Sequence, residues 1–376
     1  MNRLNILINA SNLTHGGGIQ VGDSICCYLD KYPQHHFTVV LSAQMNDTEH
    51  KIKDYANVTV LHYNVRNTFS NLVLGRDKYL DSIVNRYHID IVFTVFGVSK
   101  WVPKVPHLSG FARSQLLQRH SPYFARMNWL ERTKSNIKIA ALRYLFDKSS
   151  DYFWTENPQI SLQLQKLFPG KKVFTITNYY HQVYDQPRQW NNIKLPDFDG
   201  FTLLTISASY PHKNLEIYKE IARLLEEKSE KFRIVLTINE DDFPKLDKDL
   251  RSHFLFLSHV DIEQCPSLYE QADILLQPSL LECFSASYPE AMKMDVPIVT
   301  TDMDFAHGLC HAAALYYSPL SAEDATNKIL SIVHDHELRN HLILKGRERL
   351  KEFDNNEQRA DKVIQLLEQI YKDSQN

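Results

Sequence analysis

The feature that most constrains this chain is a serial alternation of short apolar runs with helical stretches. In the first half the runs fall at 4–9, 37–42, 58–62, 89–95, 152–155 and 173–177. They are rich in Val, Ile, Phe and Thr and do not alternate apolar with polar, as strands do when both sheet faces are covered. Helical patterns separate several of them, for example over 20–29 and 77–86. Strand–helix–strand repetition predicts mostly parallel, doubly wound sheets. A second series follows at 201–207, 233–238, 254–257, 273–277, 297–300 and 315–317. Its first helix, over 215–228, carries apolar residues at 217, 221, 224 and 225, a helical spacing. A last amphipathic helix is expected over 357–372.

The 376 residues exceed what one core usually holds. Two α/β domains are therefore expected, at 1–183 and 201–352. The segment 184–200, with two prolines and little periodicity, reads as the linker. The tail, 353–376, is expected to pack back toward the first domain, and a cleft is expected between the two. The near balance of 42 basic and 45 acidic residues argues against a general nucleic-acid binder. Five cysteines without a C-x-x-C spacing support neither a disulfide scaffold nor a zinc ribbon, and point to a reducing cytoplasm. No apolar window is long enough to span a bilayer. The first ten residues run straight into a strand-like stretch, so no signal peptide is expected.

Three strand ends carry candidate chemistry. The loop 11–22 holds Gly16, Gly17 and Gly18 ahead of a helix, which suits either a flexible turn or close approach of backbone N–H groups to an anion. It does not meet the dinucleotide fingerprint, since Val21 stands at the last glycine position. Lys213 falls in the loop after the second domain's first strand, just before a helix. A cation there opposes the helix dipole unless an anion is present. In the segment 278–290, Glu282 falls in an apolar turn after the strand 273–277, where a carboxylate suits sugar hydroxyls. Glu290 either binds ligand or closes an S-x-x-E capping box with Ser287. No carboxylate or histidine cluster has a convincing metal-ligand spacing. Asp302-Met303-Asp304 follows a strand rather than standing as a separate metal loop.

These residues resemble the retaining GT-B glycosyltransferases of family 4. Glu282 and Glu290 match that family's E-x7-E motif, Pro211–Leu215 its lysine motif, and the run ending at Asn178 its asparagine-terminated strand. The likeness is strong over 200–350 and weaker before. There the glycine loop and the run 94–112 look like a branch found in bacterial surface-polysaccharide clusters. The resemblance implies a GT-B fold and a metal-independent enzyme without cofactor, using a nucleotide-diphosphate sugar. Lys213 would hold the diphosphate, Glu282 the donor sugar and Glu290 the ribose. Amides of Phe284, Ser285 and Ala286 would cradle the phosphates, and Gly17 and Gly18 would close over them. His107 would lie near the reacting sugar; a surface or packing histidine is the other reading. Two departures weaken the match: Ala208 replaces an arginine, and Cys283 and Ser285 replace glycines.

The stretch 111–148 carries eight Arg or Lys against Glu131 and Asp147, with interleaved aromatics. It reads as either a solvated face or an interfacial segment on anionic lipid. Arg113, Arg126, Arg132, Lys134 and Lys138 are assigned to this acceptor or membrane side. The expected protein is thus a glycosyltransferase extending an O-antigen or capsule type glycan carried on polyprenyl diphosphate, at the inner face of the plasma membrane. A nucleotide-sugar epimerase and a catalytically inactive glycan-binding protein are the alternatives.

Overall fold

The computed structural model describes residues 3–14, 16–64 and 75–375, so His15 of the glycine loop lies outside the described residues. The chain forms two compact units. The first comprises 1–119, 128–178 and 354–376, and the second 120–127 and 179–353.

The first unit holds a parallel sheet of seven strands: β1 (Asn5–Ala10), β2 (His36–Leu41), β3 (Val58–His62), β4 (Ile91–Thr94), β5 (His107–Gly110), β6 (Tyr152–Thr155) and β7 (Lys172–Thr175), in the order β3-β2-β1-β4-β5-β6-β7. Through the first part of the chain the helices are α1 (Gly17–Cys26), α2 (Asn46–Ile52), α3 (Lys78–Arg86), α4 (Ser114–Leu117), α5 (Pro122–Ala125), α6 (Trp129–Ser149) and α7 (Pro158–Leu167). Of these, α5 belongs to the second unit. The second unit's parallel sheet has six strands: β8 (Phe201–Thr205), β9 (Phe232–Leu236), β10 (Phe254–Phe256), β11 (Ile274–Gln277), β12 (Ile298–Thr301) and β13 (Ala314–Tyr317), ordered β10-β9-β8-β11-β12-β13. Around it run α8 (Ile217–Glu227), α9 (Cys265–Tyr269), α10 (Ser287–Lys293), α11 (Asp304–Cys310), α12 (Ala322–His334) and α13 (His336–Leu350). The last helix, α14 (Asn356–Ser374), returns to the first unit.

Each sheet buries both faces, which is why its strands read as continuous apolar runs. In the first unit β1, β2 and β4 pack one face against α1 and α14, through Val21, Ile25, Val363, Ile364, Leu367 and Ile370. The other face packs on Leu80 and Ile83 of α3 and on Trp101. Five buried aliphatic side chains of α14 contribute on the order of 10 kcal/mol to this core. Its start is pinned by Asp354, which accepts from the Thr177 backbone N–H at 3.0 Å and its hydroxyl at 2.9 Å.

Three expectations need correction. The strand β5 escapes the sequence reading because HLSG is short and polar. It is fully buried between β4 and β6, and a Cβ on Gly110 would lie 1.7 Å from the Val95 carbonyl oxygen. Second, 184–200, expected as the linker between the domains, belongs to the second unit. Trp190 Nε1 donates to Val183 O at 2.7 Å, and the N–H groups of Asn191, Ile193 and Leu195 bond to Glu263, Ser267 and Gln271. The boundary between the units therefore falls at Asn178/Tyr179, and the return at Phe353/Asp354. Third, 120–127 lies within the expected first domain but packs with the second unit. There the Ser121 hydroxyl donates to Leu280 O at 2.7 Å.

Candidate active site

In the second sheet β8 and β11 are neighbours, with Ile274 opposite Leu203 and Leu275 opposite Leu204. The remaining strands extend from β8 to one side and from β11 to the other. This is the topological switch point, where connections leave toward opposite faces and a crevice opens at the carboxyl ends. The loops that follow β8 and β11 carry Lys213 and Glu282.

Both loops are held by backbone hydrogen bonds. After β8, Pro211–Lys213 form a 3-10 turn, with Lys213 N–H donating to Tyr210 O at 2.8 Å. Asn214 follows in the left-handed region at φ 54°, which asparagine tolerates better than most residues. It is buried, and its side-chain oxygen accepts from Arg126 at 2.8 Å. After β11, Leu280 N–H donates to His212 O at 2.8 Å, tying the two loops together. The Thr301 hydroxyl donates to Ser279 O at 2.7 Å. The Lys213 ammonium and Glu282 carboxylate meet as an ion pair, with side chains only 14% and 11% exposed. His212, stacked on Tyr210, has its pKa lowered by burial and stands neutral beside them. The cation of this loop is therefore Lys213.

Glu290 sits in the first turn of α10, 5% exposed. The capping box, one of the two readings of Glu290, does not form. The N-cap is Ala286 without a side-chain bond, and Glu290 instead accepts from the Tyr269 hydroxyl at 3.0 Å. Burial pushes its carboxyl up to about 7, against the lowering effect of hydroxyls from Tyr269 and Tyr184. Ser285 accepts from Gln277 Nε2 at 3.1 Å. Gln277 Oε1 and Ser279 Oγ are buried without hydrogen-bond partners among the described residues. Phe284 lies edge-on to Phe353, with centroids 6.4 Å apart. Lys213, Glu282, Phe284, Ser285 and Ala286 thus lie in the linked loops of one switch point, and Glu290 lies in α10, which follows the second of them.

In the first unit, Gly16 takes φ 60° as the N-cap of α1, and the first turn of α1 has neither a side-chain cap nor an acidic residue. Among the described residues, nothing stands within 4 Å of where a Cβ on Gly17 would lie, and beside Gly18 only Leu13 does, at 3.4 Å. Arg113 is exposed after the carboxyl end of β5. Of the two readings of His107, the structure fits the packing one and not a place beside the sugar. It opens β5, at the opposite end of the strand, and is fully buried. Its Nε2 meets Thr94 Oγ1 at 2.8 Å and its Nδ1 meets Ser149 O. Burial drives its pKa down to about 4, so it is a neutral core residue.

Arg126 also departs from expectation. It lies outside α6, bonded to Asn214 and ion-paired with Glu216. Arg132, Lys134 and Lys138 are exposed on α6. The sequence reading missed one charged cluster at the carboxyl ends of β6 and β7. Arg359 of α14 is 1% exposed and donates to Asn178 and Ser24. Burial raises the nearby Glu156 carboxyl to about 7, an effect partly offset by the Arg359 charge. A signal was available: Arg359 falls four residues before Val363 and seven before Leu366, on the apolar face of α14.

Two parallel doubly wound sheets, one per unit, are the GT-B architecture. A Rickettsia africae glycosyltransferase shares it across 99% of this chain and all of its own, at TM-score 0.70 and 16% identity. So does an Anabaena protein solved in complex with UDP and glucose, over 97% of this chain and all of its own, at TM-score 0.63 and 13% identity. Residues 188–349 match the family described as glycosyl transferases group 1. An O-antigen chain mannosyltransferase of Salmonella typhimurium is 26% identical over 122 residues, 31% of this chain and 34% of that protein. The match thus spans about a third of that relative's length.

Proposed function

We propose that this protein is a retaining glycosyltransferase that moves a sugar from a nucleotide-diphosphate donor to a lipid-linked glycan of O-antigen or capsule type. The observation that carries the reading is the Lys213–Glu282 pair at the carboxyl ends of the two strands flanking the switch point. The match to the glycosyl transferases group 1 family over 188–349 supports it.

The chemistry follows from the donor set. A diphosphate arriving at Lys213 takes over its ammonium, which releases Glu282 to accept from sugar hydroxyls. The two side chains then bind opposite ends of one ligand, and in its absence they neutralise each other. Amides at Phe284, Ser285 and Ala286 and the ammonium of Lys213 stabilise the charge that develops on the leaving diphosphate. The Gly17 and Gly18 amides of the first unit are a further set of anion-directed donors. Glu290 accepts from the ribose hydroxyls. The bond from the sugar's anomeric carbon to the phosphate oxygen breaks, and a bond to the acceptor oxygen forms on the same face. The acceptor proton passes to the departing phosphate oxygen. Lysine and amides carry the leaving-group charge, so the reaction proceeds without metal. The acceptor lipid places the protein at the inner face of the plasma membrane. No described helix is long and apolar enough to cross a membrane.

The test is product analysis with nucleotide-sugar donors and a lipid-linked acceptor in excess EDTA. A new glycosidic bond with the donor's anomeric configuration is expected. Conversion of donor without acceptor would instead support an epimerase. Inversion of configuration, or activity that returns only with added Mg²⁺ or Mn²⁺, would overturn the chemistry.

A further inference from the structure

The helix α6 has an outward face that the donor site does not use. It is 21 residues long and starts in a complete capping box, with Asn128 accepting from Glu131 N–H and Glu131 accepting from Asn128 N–H. Phe146 and Ser149 are buried, and Ile139, Leu142 and Leu145 are partly covered. The opposite side is fully open. Trp129 is 73% exposed, Leu130 51%, Ile137 67% and Tyr144 57%. At about 100° per residue, these four fall within an arc of about 100° and form one stripe along the helix. Thr133, Ala140 and Ala141 are also exposed and fill the gaps along it.

The charges are arranged around that stripe. Helical spacing sets Arg132 and Arg143 along one edge and Lys134 and Lys138 along the other. All four are exposed. Asp147 ends the stripe in the last turn, where Lys171 lies 4.0 Å away. Glu131 is taken up by the capping box. An apolar strip bearing a Trp and a Tyr, with cations on both edges, matches a bilayer interface. The rings enter the acyl boundary while the basic side chains reach the headgroups. Lys148 lies on the same side, its ammonium 5.6 Å from the centroid of the Tyr144 ring, while Trp129, Leu130 and Ile137 stand exposed to water.

We propose that the outward face of α6 is a docking surface for anionic lipid, entered by Trp129, Leu130, Ile137 and Tyr144 and steered by Arg132, Lys134, Lys138 and Arg143. Its purpose rests on the lipid-linked acceptor reading. Its test does not, because binding is measured without donor or acceptor.

The probe is vesicles of phosphatidylcholine with or without phosphatidylglycerol, added to the full chain. Trp101 and Trp154 are buried, and Trp190 is half-buried with its Nε1 bonded to Val183 O, so Trp129, on the proposed face, is the tryptophan placed to report insertion. Anionic vesicles are expected to pull the protein down at low salt and shift its emission to the blue. Trp129→Phe should bind but lose the shift. Lys134→Gln with Lys138→Gln should weaken partitioning about 25-fold at low salt, at about fivefold per charge. The wild-type protein should lose affinity in salt as those charges are screened. Ile137→Ser with Tyr144→Ser should lower binding at least tenfold at every salt concentration. All these positions are exposed, so circular dichroism should be unchanged. Absence of wild-type binding to anionic vesicles at low salt would overturn the proposal. So would equal binding to neutral vesicles, or self-association through this face that the serine variant abolishes without any vesicle binding.

Discussion

Replacing Glu290 with Gln should stabilise the protein at neutral and alkaline pH while destroying its donor site. The carboxyl is buried, and its pKa is raised from 4.5 to about 7. Between those values the folded protein retains a proton that the unfolded chain releases. The contribution to stability is fully present below the unfolded value and is lost as pH rises through the folded one. At about 1.4 kcal/mol per pH unit, the loss approaches about 3 kcal/mol by pH 8. Gln keeps an oxygen for the Tyr269 hydroxyl and carries no charge to desolvate. For a unit of this size 1 kcal/mol corresponds to about 2–4 °C. Glu290→Gln should therefore melt about 6–12 °C above wild type at pH 8 and close to it at pH 5. Glu156, whose carboxyl is raised in the same direction, is present in both proteins, so the difference between the two curves isolates Glu290. Differential scanning calorimetry from pH 5 to 8 reads the effect. A difference that stays flat with pH, or a variant less stable than wild type at pH 8, would refute the reasoning.

Lys213→Ala should lower turnover about 100-fold or more, the scale for removing one group that stabilises developing charge; steady-state kinetics on variant with unchanged circular dichroism checks it. His107→Ala should cost about 2–4 kcal/mol of stability through the cavity and the broken buried hydrogen bonds, with kcat of the remaining folded enzyme close to wild type. Urea titration and kinetics separate the two effects. Arg359→Met should destabilise the first unit by about 2 kcal/mol or more, because Asn178 and Ser24 lose their donor and Glu156 loses its nearby charge. It should leave nucleotide binding to the second unit within about twofold, read by titration calorimetry.

The parallel sheets were legible because buried strands write themselves as apolar runs, and β3 and β6 coincide with the runs at 58–62 and 152–155. The placement of Lys213 and Glu282 followed from the same pattern, since loops at strand ends can be counted from the strands. What the sequence hid depended on tertiary partners. The strand β5 exists because β4 and β6 flank it, and its Gly110 is required by the Val95 carbonyl, which no local pattern shows. The capping box at Ser287 was a sound local motif that lost Glu290 to a distant hydroxyl on Tyr269. The sugar-side reading of His107 arose because counting from β4 placed it beyond a strand end, whereas it begins the unrecognised β5. The stripe on α6 was visible as composition, but only the covered face of the helix shows which side chains point outward.

If the loops after β8 and β11 form the donor site, they bind a nucleoside diphosphate through Lys213. Calorimetric titration of the wild-type protein and Lys213→Ala with a panel of nucleoside diphosphates, in EDTA, tests it most directly. One diphosphate should bind the wild type, and its monophosphate much more weakly. At about 100 times its Kd it should add about 2.7 kcal/mol to stability. The variant should lose at least tenfold in affinity. Equal affinity of the variant and the wild type, or no binding of any nucleoside diphosphate to the wild type, would contradict the account.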